Sequence, residues 1–210
     1  MVKRGAFIVF EGLDRSGKST QVARLVESLN QSGEKAVGCR FPDRTTTTGK
    51  MIDSYLAQKS ELDDHAIHLL FSANRWERSQ AILADLEAGT TVVCDRYAFS
   101  GIAFSAVKGL SYTWCQSPDI GLPLPDLVLF LELAPAAAAL RGGFGNERYE
   151  TSEVQIAVKD MFERIGSDVG SERWKVLDAG RDVDAVEKDV RGRVEELLKK
   201  VEGPVGKLWA

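Results

Sequence analysis

Short apolar runs alternate along the chain with longer stretches in which apolar residues recur every three or four positions. The runs Ala6–Glu11, Ala36–Phe41, Thr90–Asp95, Leu127–Leu133 and Trp174–Asp178 predict strands. Between them Lys18–Ser32, stopped by Gly33, Asp64–Ala88, stopped by Gly89, and a segment from about Asp182 to Val201 predict helices, with glycine stops or acidic first turns at their ends. Ser152-Glu-Val-Gln155 reads as a capping box, after which Val154, Val158, Met161, Phe162 and Ile165 keep to one helical face. Strands alternating with helices predict an α/β fold, a five-stranded parallel sheet flanked by crossover helices. Two stretches break the alternation: Pro42 to Gly49, with four threonines in a row, and the glycine-dense Gly142-Gly-Phe-Gly145. Such interruptions often carry binding or gating.

Length and composition narrow the class. At 210 residues the chain suits a single domain, 1–210, of enzyme size. With 44% hydrophobic and 28% charged residues, disorder, collagen-like repeats and coiled coil are poor explanations, and no solenoid repeat is visible. The 27 basic and 31 acidic residues leave a formal charge of −4, against a polymeric nucleic-acid partner. Cys39, Cys94 and Cys115 are widely spaced, without a C-x-x-C pair, and suggest a reducing compartment, neither a disulfide framework nor a zinc site. The longest strictly aliphatic or aromatic run, Leu127 to Leu131, is far short of the ~20 residues that span a bilayer, so no membrane partner is expected. Lys3-Arg4 followed by Ala6–Phe10 imitates the start of a secretory signal, but the stretch is too short and ends at Glu11; it reads as a buried strand.

Candidate chemistry begins immediately after the first strand. Gly12-Leu-Asp-Arg-Ser-Gly-Lys-Ser19 satisfies G-x-x-x-x-G-K-[ST] in the strand–loop–helix context that motif requires. The glycines let backbone N–H groups form a concave nest, the following helix presents its positive end, Lys18 supplies an ammonium, and Ser19 offers a hydroxyl to Mg²⁺. These features point to a nucleoside triphosphate. Asp14 and Arg15 add a carboxylate and a guanidinium within the loop, and the guanidinium can follow charge moving onto the leaving oxygen. Asp95, ending an apolar strand, is the candidate magnesium carboxylate, and Arg96 beside it reaches the same crevice. The chain has no N-K-x-D guanine motif and no well-placed D-x-x-G switch, which favours a kinase over a GTPase. Phe41-Pro-Asp-Arg44 follows the second strand, and Phe71 and Arg75 are four apart on one helix. An aromatic that stacks on a base and an arginine that donates to its edge make a nucleobase reader.

These residues carry a resemblance over nearly the whole chain. Glu11-Gly-Leu-Asp-Arg-Ser-Gly-Lys-Ser-Thr20, Phe41-Pro-Asp-Arg44, His68-Leu-Leu-Phe-Ser-Ala-Asn-Arg-Trp-Glu77 and Asp95-Arg-Tyr-Ala-Phe-Ser-Gly101 resemble the eukaryotic-type thymidylate kinases. So do Pro118-Asp-Ile-Gly-Leu-Pro123, Pro125-Asp-Leu-Val-Leu-Phe130, Gly145-Asn-Glu-Arg-Tyr-Glu150 and Leu208-Trp209. The resemblance implies a P-loop kinase fold with a lid segment at about 141–150, usually a homodimer, that passes the γ-phosphoryl group of ATP to dTMP with Mg²⁺. It implies that Gly12, Leu13, Asp14, Arg15, Ser16, Gly17, Lys18, Ser19 and Thr20 cradle ATP, with Arg141 and Arg181 near adenine. Arg15, Lys18, Asp95 and Arg96 would be catalytic, and Ser19 and Asp95 would hold the metal. Arg44 and Arg96 would hold the dTMP phosphate, Asp14 would meet the sugar 3′-hydroxyl, Phe71 would stack on thymine, and Arg75 would donate to its O4. Phe41, Ser100, Gly101 and Gln155 complete the implied dTMP side, with Phe104 and Tyr149 crowding the sugar. Cytosine presents an amino donor where thymine presents O4, so selection against dCMP follows. A cytoplasmic location, with nuclear or mitochondrial pools, goes with this reading.

A kinase for another nucleoside monophosphate or deoxynucleoside, and a P-loop switch without kinase activity, are the alternatives to this assignment. The reaction needs no general base, because a phosphate monoester with a second pKa of about 6 is already anionic at pH 7. His65 and His68 are accordingly read as structural, Thr45–Thr48 as loop and the tryptophans as core. Ser16, Asp43 and Cys94 depart from the commoner family residues, and the shorter Asp43 carboxylate is expected to alter the orientation of Arg44. Seven basic residues, Arg15, Lys18, Arg44, Arg75, Arg96, Arg141 and Arg148, fall in the expected crevice segments, predicting a cationic site in an acidic protein.

Overall fold

The computed structural model describes residues 3–139, 145 and 147–210. Five strands, β1 (Phe7–Gly12), β2 (Ala36–Arg40), β3 (Thr91–Asp95), β4 (Leu127–Glu132) and β5 (Trp174–Asp178), form one parallel sheet in the order β2-β3-β1-β4-β5. Alternation along β1 feeds two cores. Phe7 and Val9 join Val92, Cys94, Val128 and Phe130 on one face, while Ala6, Ile8 and Phe10 join Val93, Leu127, Leu129 and Leu131 on the other. Both faces are covered by helices, which is why these strands read as unbroken apolar runs. β2 lies at the sheet edge, is largely exposed beyond Ala36 and ends at Arg40, one residue before the expected end.

The helices are α1 (Lys18–Gln31), α2 (Thr47–Leu56), α3 (Asp64–Glu87), α4 (Ala98–Ala106), α5 (Tyr112–Gln116), α6 (Pro135–Ala139), α7 (Ser152–Val169) and α8 (Val183–Leu198). α1, α3, α7 and α8 match predicted segments. α8 starts on Asp182, whose side chain accepts from Asp184 N–H, and ends before the expected Val201. The predicted capping box is off by one residue. Thr151, not Ser152, caps α7 by accepting from Val154 N–H, so the residue three positions beyond the cap is a valine that cannot reach back. Gln155 is thereby left available for another contact.

The threonine run is not simply loop: Thr46 caps α2 through Gly49 N–H, and α2 begins at Thr47. Gly49 is required there, because a Cβ would stand 1.8 Å from Asp43 O. α4 has no periodic signature because Ala98 to Ser105 is buried on every side. The tryptophans divide: Trp174 is core against Phe99 and Phe130, whereas Trp76 is 40% exposed and donates its indole N–H to Pro118 O.

His65 is exposed, while His68 is fully buried and structural. The Cys115 carbonyl only accepts, so His68 Nε2 carries the proton (3.0 Å), and Nδ1 accepts from Ser105 Oγ (2.7 Å). Burial, reinforced by Arg75, lowers its pKa. The unfolded histidine titrates near 6.5, so below about that pH the unfolded chain binds the proton more readily and stability falls. Urea denaturation between pH 7.5 and 5.5 should show this loss, with a shallower pH slope in His68→Gln.

Candidate active site

The site grows from the carboxyl ends of β1 and β3. These strands pair with Phe10 opposite Asp95, so the loop after one and the Asp95-Arg96 dipeptide after the other emerge side by side. α1 then packs on one face of the sheet and α4 on the opposite face, which opens a crevice between them. Gly12 (φ 144°) and Gly17 (φ 95°) occupy backbone regions open to glycine, and a Cβ on Gly12 would meet Leu131 O at 2.6 Å. Arg15 (φ 63°) and Arg96 (φ 67°) adopt left-handed backbone without that freedom, a strain of roughly 1–3 kcal/mol each that the surrounding packing holds.

α1 has no side-chain cap and no acid in its first turn, so its N–H groups face the loop, the arrangement that favours an anion. Lys18 Nζ donates to Leu13 O (2.7 Å), Gly12 O (3.2 Å) and Ser16 Oγ (3.3 Å). Burial, then Arg96, pull its pKa down to about 8 against the pull of Asp95, Asp14 and Glu11. Ser19 Oγ donates to Asp95 Oδ2 at 2.5 Å.

A cleft of about 550 Å³ runs from this loop to the wall formed by α3 and α4. Of the expected residues, Asp14, Arg15, Gly17, Lys18, Ser19, Thr20, Asp95 and Arg96 line one part, and Phe41, Arg44, Phe71, Arg75, Ser100, Gly101, Phe104 and Tyr149 line the other. Gly12, Leu13 and Ser16 are buried behind the loop rather than on the cleft surface. Gln155 is also behind it: its Oε1 accepts from Asp14 N–H (3.0 Å), and its Nε2 donates to Asp14 Oδ2 (2.8 Å) and Tyr149 O (2.9 Å). Arg181 does not reach the cleft; it pairs with Asp189 and Asp178 on the surface. Arg141 and most of the expected lid lie outside the described residues.

Each cleft arginine has an acidic neighbour. Arg96 bonds Asp14, Gly12 O (3.0 Å) and Ser100 Oγ (2.9 Å), and its guanidinium stands 5.3 Å from the Phe104 ring centroid. Arg15 meets Glu150 at 2.9 Å, Arg44 bridges Asp53 (2.6 Å) and Glu147 (2.7 Å), and Arg75 holds Asp119 at 2.6 Å. Burial would raise the Asp14 carboxyl, but Arg96, Lys18 and the hydrogen bonds from Gln155 and Arg96 bring it below the usual range. The lining is less cationic than expected: six bases, including Arg40, face Asp14, Asp95, Glu147 and Glu150. Arg148 turns away to Tyr55 O and Glu61 and stacks on Tyr55 at 4.1 Å. Asp43 does not orient Arg44 either; it closes a turn by accepting from Thr45 N–H (3.0 Å) and Thr45 Oγ1 (2.6 Å).

Sequence reasoning passed over Arg40, Glu147 and Glu150 on the cleft surface, and Glu11 and Asp119 behind it. Glu11 had a signal, an acid ending a fully apolar strand. It is entirely buried and accepts from Tyr97 N–H (2.9 Å), Ser100 N–H (3.0 Å) and Ser100 Oγ (2.5 Å). Burial raises its pKa, opposed by Arg96 and these hydrogen bonds.

A phosphate loop between β1 and α1, a carboxylate on the adjoining strand, and a basic and aromatic wall across the same cleft define a P-loop kinase of the nucleotide-phosphorylating class. The chain belongs to the thymidylate kinase family, whose model matches residues 10–190. The thymidylate kinase of Danio rerio is 53% identical over 209 residues, covering 99% of this chain and 98% of the relative. That of Homo sapiens is 49% identical over 209 residues, with the same coverage. A solved structure of the thymidylate kinase from Candida albicans superposes with a TM-score of 0.89 at 38% identity, covering 99% of both chains.

Glu11→Ala should strand the buried Tyr97 and Ser100 donors beside Arg96 and cost about 3–5 kcal/mol, read from urea unfolding. Glu11→Gln retains a carbonyl acceptor and should lose less.

Proposed function

We propose that the protein transfers the γ-phosphoryl group of ATP to dTMP, giving dTDP and ADP. The observation that carries this reading is the meeting of two groups of basic side chains in one cleft, Lys18 and Arg15 in one and Arg44 and Arg96 in the other, with an aromatic wall beyond the second. The loop N–H groups, Lys18 and the α1 terminus hold the triphosphate. Arg96, fixed by Asp14, Gly12 O and Ser100, and Arg44 hold the acceptor phosphate in line. Arg15 stands at the cleft mouth, where its guanidinium follows charge moving towards the leaving oxygen. Phe71 stacks on thymine, Arg75 donates to O4, and Phe104 and Tyr149, with ring centroids 5.2 Å apart, close on the sugar. Gln155 acts through Asp14, which meets the 3′-hydroxyl. The acceptor is already anionic at neutral pH, so positioning and charge neutralisation suffice.

Ser19 and Asp95 are the residues that would hold Mg²⁺. Their oxygens already meet, and no group of three His, Cys, Asp or Glu side chains suited to a metal occurs among the described residues. That donor set fits a cation that keeps waters and takes its other ligands from phosphates. When bound, the ion neutralises charge on the phosphates.

Exposed Leu69 and Trp76, seven apart on α3, with Ile120 nearby, support a homodimer through this face. Among the described residues no helix is long and apolar enough to cross a membrane. The free thiols of Cys39, Cys94 and Cys115 favour the reducing cytoplasm.

An ADP-release assay with dTMP, dUMP, dCMP, UMP and thymidine tests the assignment. dTMP should give the highest kcat/KM; preference for dCMP or thymidine would reject it, and ADP release without an acceptor would indicate a switch. Arg15→Ala should lower kcat by roughly 10²- to 10³-fold, the scale of losing one transition-state charge contact. A change confined to the KM for ATP would count against that role.

A further inference from the structure

Asp119 belongs to none of the roles assigned above. It ends the short 3₁₀ turn Ser117–Asp119 after α5 and is completely buried. Its carboxylate receives Arg75 Nε at 3.1 Å and Ser72 Oγ at 2.7 Å on Oδ1, and Arg75 Nη2 at 2.6 Å on Oδ2. The fork-to-fork pair therefore consumes one whole edge of the guanidinium, which is itself only 2% exposed yet lines the cleft. On the other side α4 presses against it: a Cβ on Gly101 would stand 2.8 Å from Nη2 and 3.2 Å from Nη1. The guanidinium is thus held between the Asp119 carboxylate and the Gly101 backbone. Nη1 donates to no acceptor among the described residues.

An unpaired guanidinium in this desolvated wall would attract any anion, including the acceptor's own phosphate, and would favour binding of the nucleotide in reverse. Bidentate pairing neutralises that attraction and leaves a directional N–H donor. A base carbonyl can meet such a donor, whereas an exocyclic amino group placed at the same point leaves two donors facing each other out of water.

We infer that Asp119 is a positioning residue for acceptor selection: it holds Arg75 with its Nη1 edge towards the base pocket and cancels its charge, so that the pocket takes a pyrimidine with a 4-carbonyl and rejects one with a 4-amino group. This inference rests on the proposed placement of thymine against Arg75. Ser72 is its supporting partner, since its hydroxyl fixes the same Oδ1 that takes Arg75 Nε.

The test compares kcat and KM for dTMP and dCMP in the full-length enzyme and in Asp119→Asn, Ser72→Ala and Arg75→Met. Asp119→Asn should lower the dTMP-to-dCMP ratio of kcat/KM about tenfold or more. The change should sit in the KM for dTMP, with kcat at saturation within about threefold, a split that a general loss of folding would not produce. Ser72→Ala removes one hydrogen bond without stranding a charge and should shift the ratio the same way, by about threefold. If Asp119→Asn does not fold, Ser72→Ala decides, and an unchanged ratio in it overturns the inference. If Arg75→Met lowers the ratio while Asp119→Asn and Ser72→Ala leave it unchanged, the role of Asp119 falls and base reading by Arg75 stands. An unchanged ratio in Arg75→Met rejects base reading by Arg75 itself, and the role of Asp119 with it.

Discussion

The cleft depends on the parallel pairing of β1 with β3. With Phe10 opposite Asp95, two loops leave the sheet at the same level, and their helices diverge to opposite faces because α1 buries Val22, Leu25 and Leu29 on one core and α4 buries Phe99 and Ile102 on the other. The crevice between them collects a glycine-rich loop, a helix terminus, an aspartate and an arginine without any long-range adjustment. A shift of one residue in that register would turn Asp95 away from Ser19 and reverse which core each β3 side chain enters.

Within this frame, buried charge is the main cost and also the means of positioning. Arg96 and Arg75 are desolvated, and each is held by a carboxylate: Arg96 by Asp14, with further hydrogen bonds to Gly12 O and Ser100, and Arg75 by both oxygens of Asp119. Removing one partner from such a pair is expensive, whereas the intact pair leaves little net charge. Glu11 extends the first network by accepting the N–H groups that begin the segment after β3, so the strained backbone at Arg96 is secured by an acid on the neighbouring strand. Arg44 is paired with the partly exposed Asp53 and Glu147, where exchange of a carboxylate for a phosphate oxygen is cheaper than it would be in the core, whereas Arg15 is paired with the buried Glu150.

Much of this was legible from local pattern. All five strands were predicted, with edges within one residue; for β1, β3 and β4 this follows because a doubly covered strand is apolar at nearly every position, whereas β2 and β5 at the sheet edges are partly exposed. Helices with a polar face and an end signal were also legible. α4 was not, because a helix buried on all sides lacks period, and α2 was not, because its cap lies inside a threonine run. The shift of the α7 cap from Ser152 to Thr151 follows the same limit: adjacent residues with hydroxyls offer equal signals, and only the path of the chain chooses between them.

By itself, then, the sequence determined the sheet, the phosphate loop, its lysine and serine, and the aspartate on the neighbouring strand, since each depends on residues close together in the chain or on a strand's own pattern. It also carried the family. Tertiary structure decided which polar groups pair: Asp119 with Arg75, Glu150 with Arg15, Asp53 and Glu147 with Arg44, and Arg96 and Gln155 with Asp14. It likewise removed Arg181 and Arg148 from the cleft and brought Arg40 in. Those outcomes turn on side chains from separate elements meeting out of water, where a distance of a few ångströms sets the strength of an interaction, and no local pattern in the chain encodes that distance.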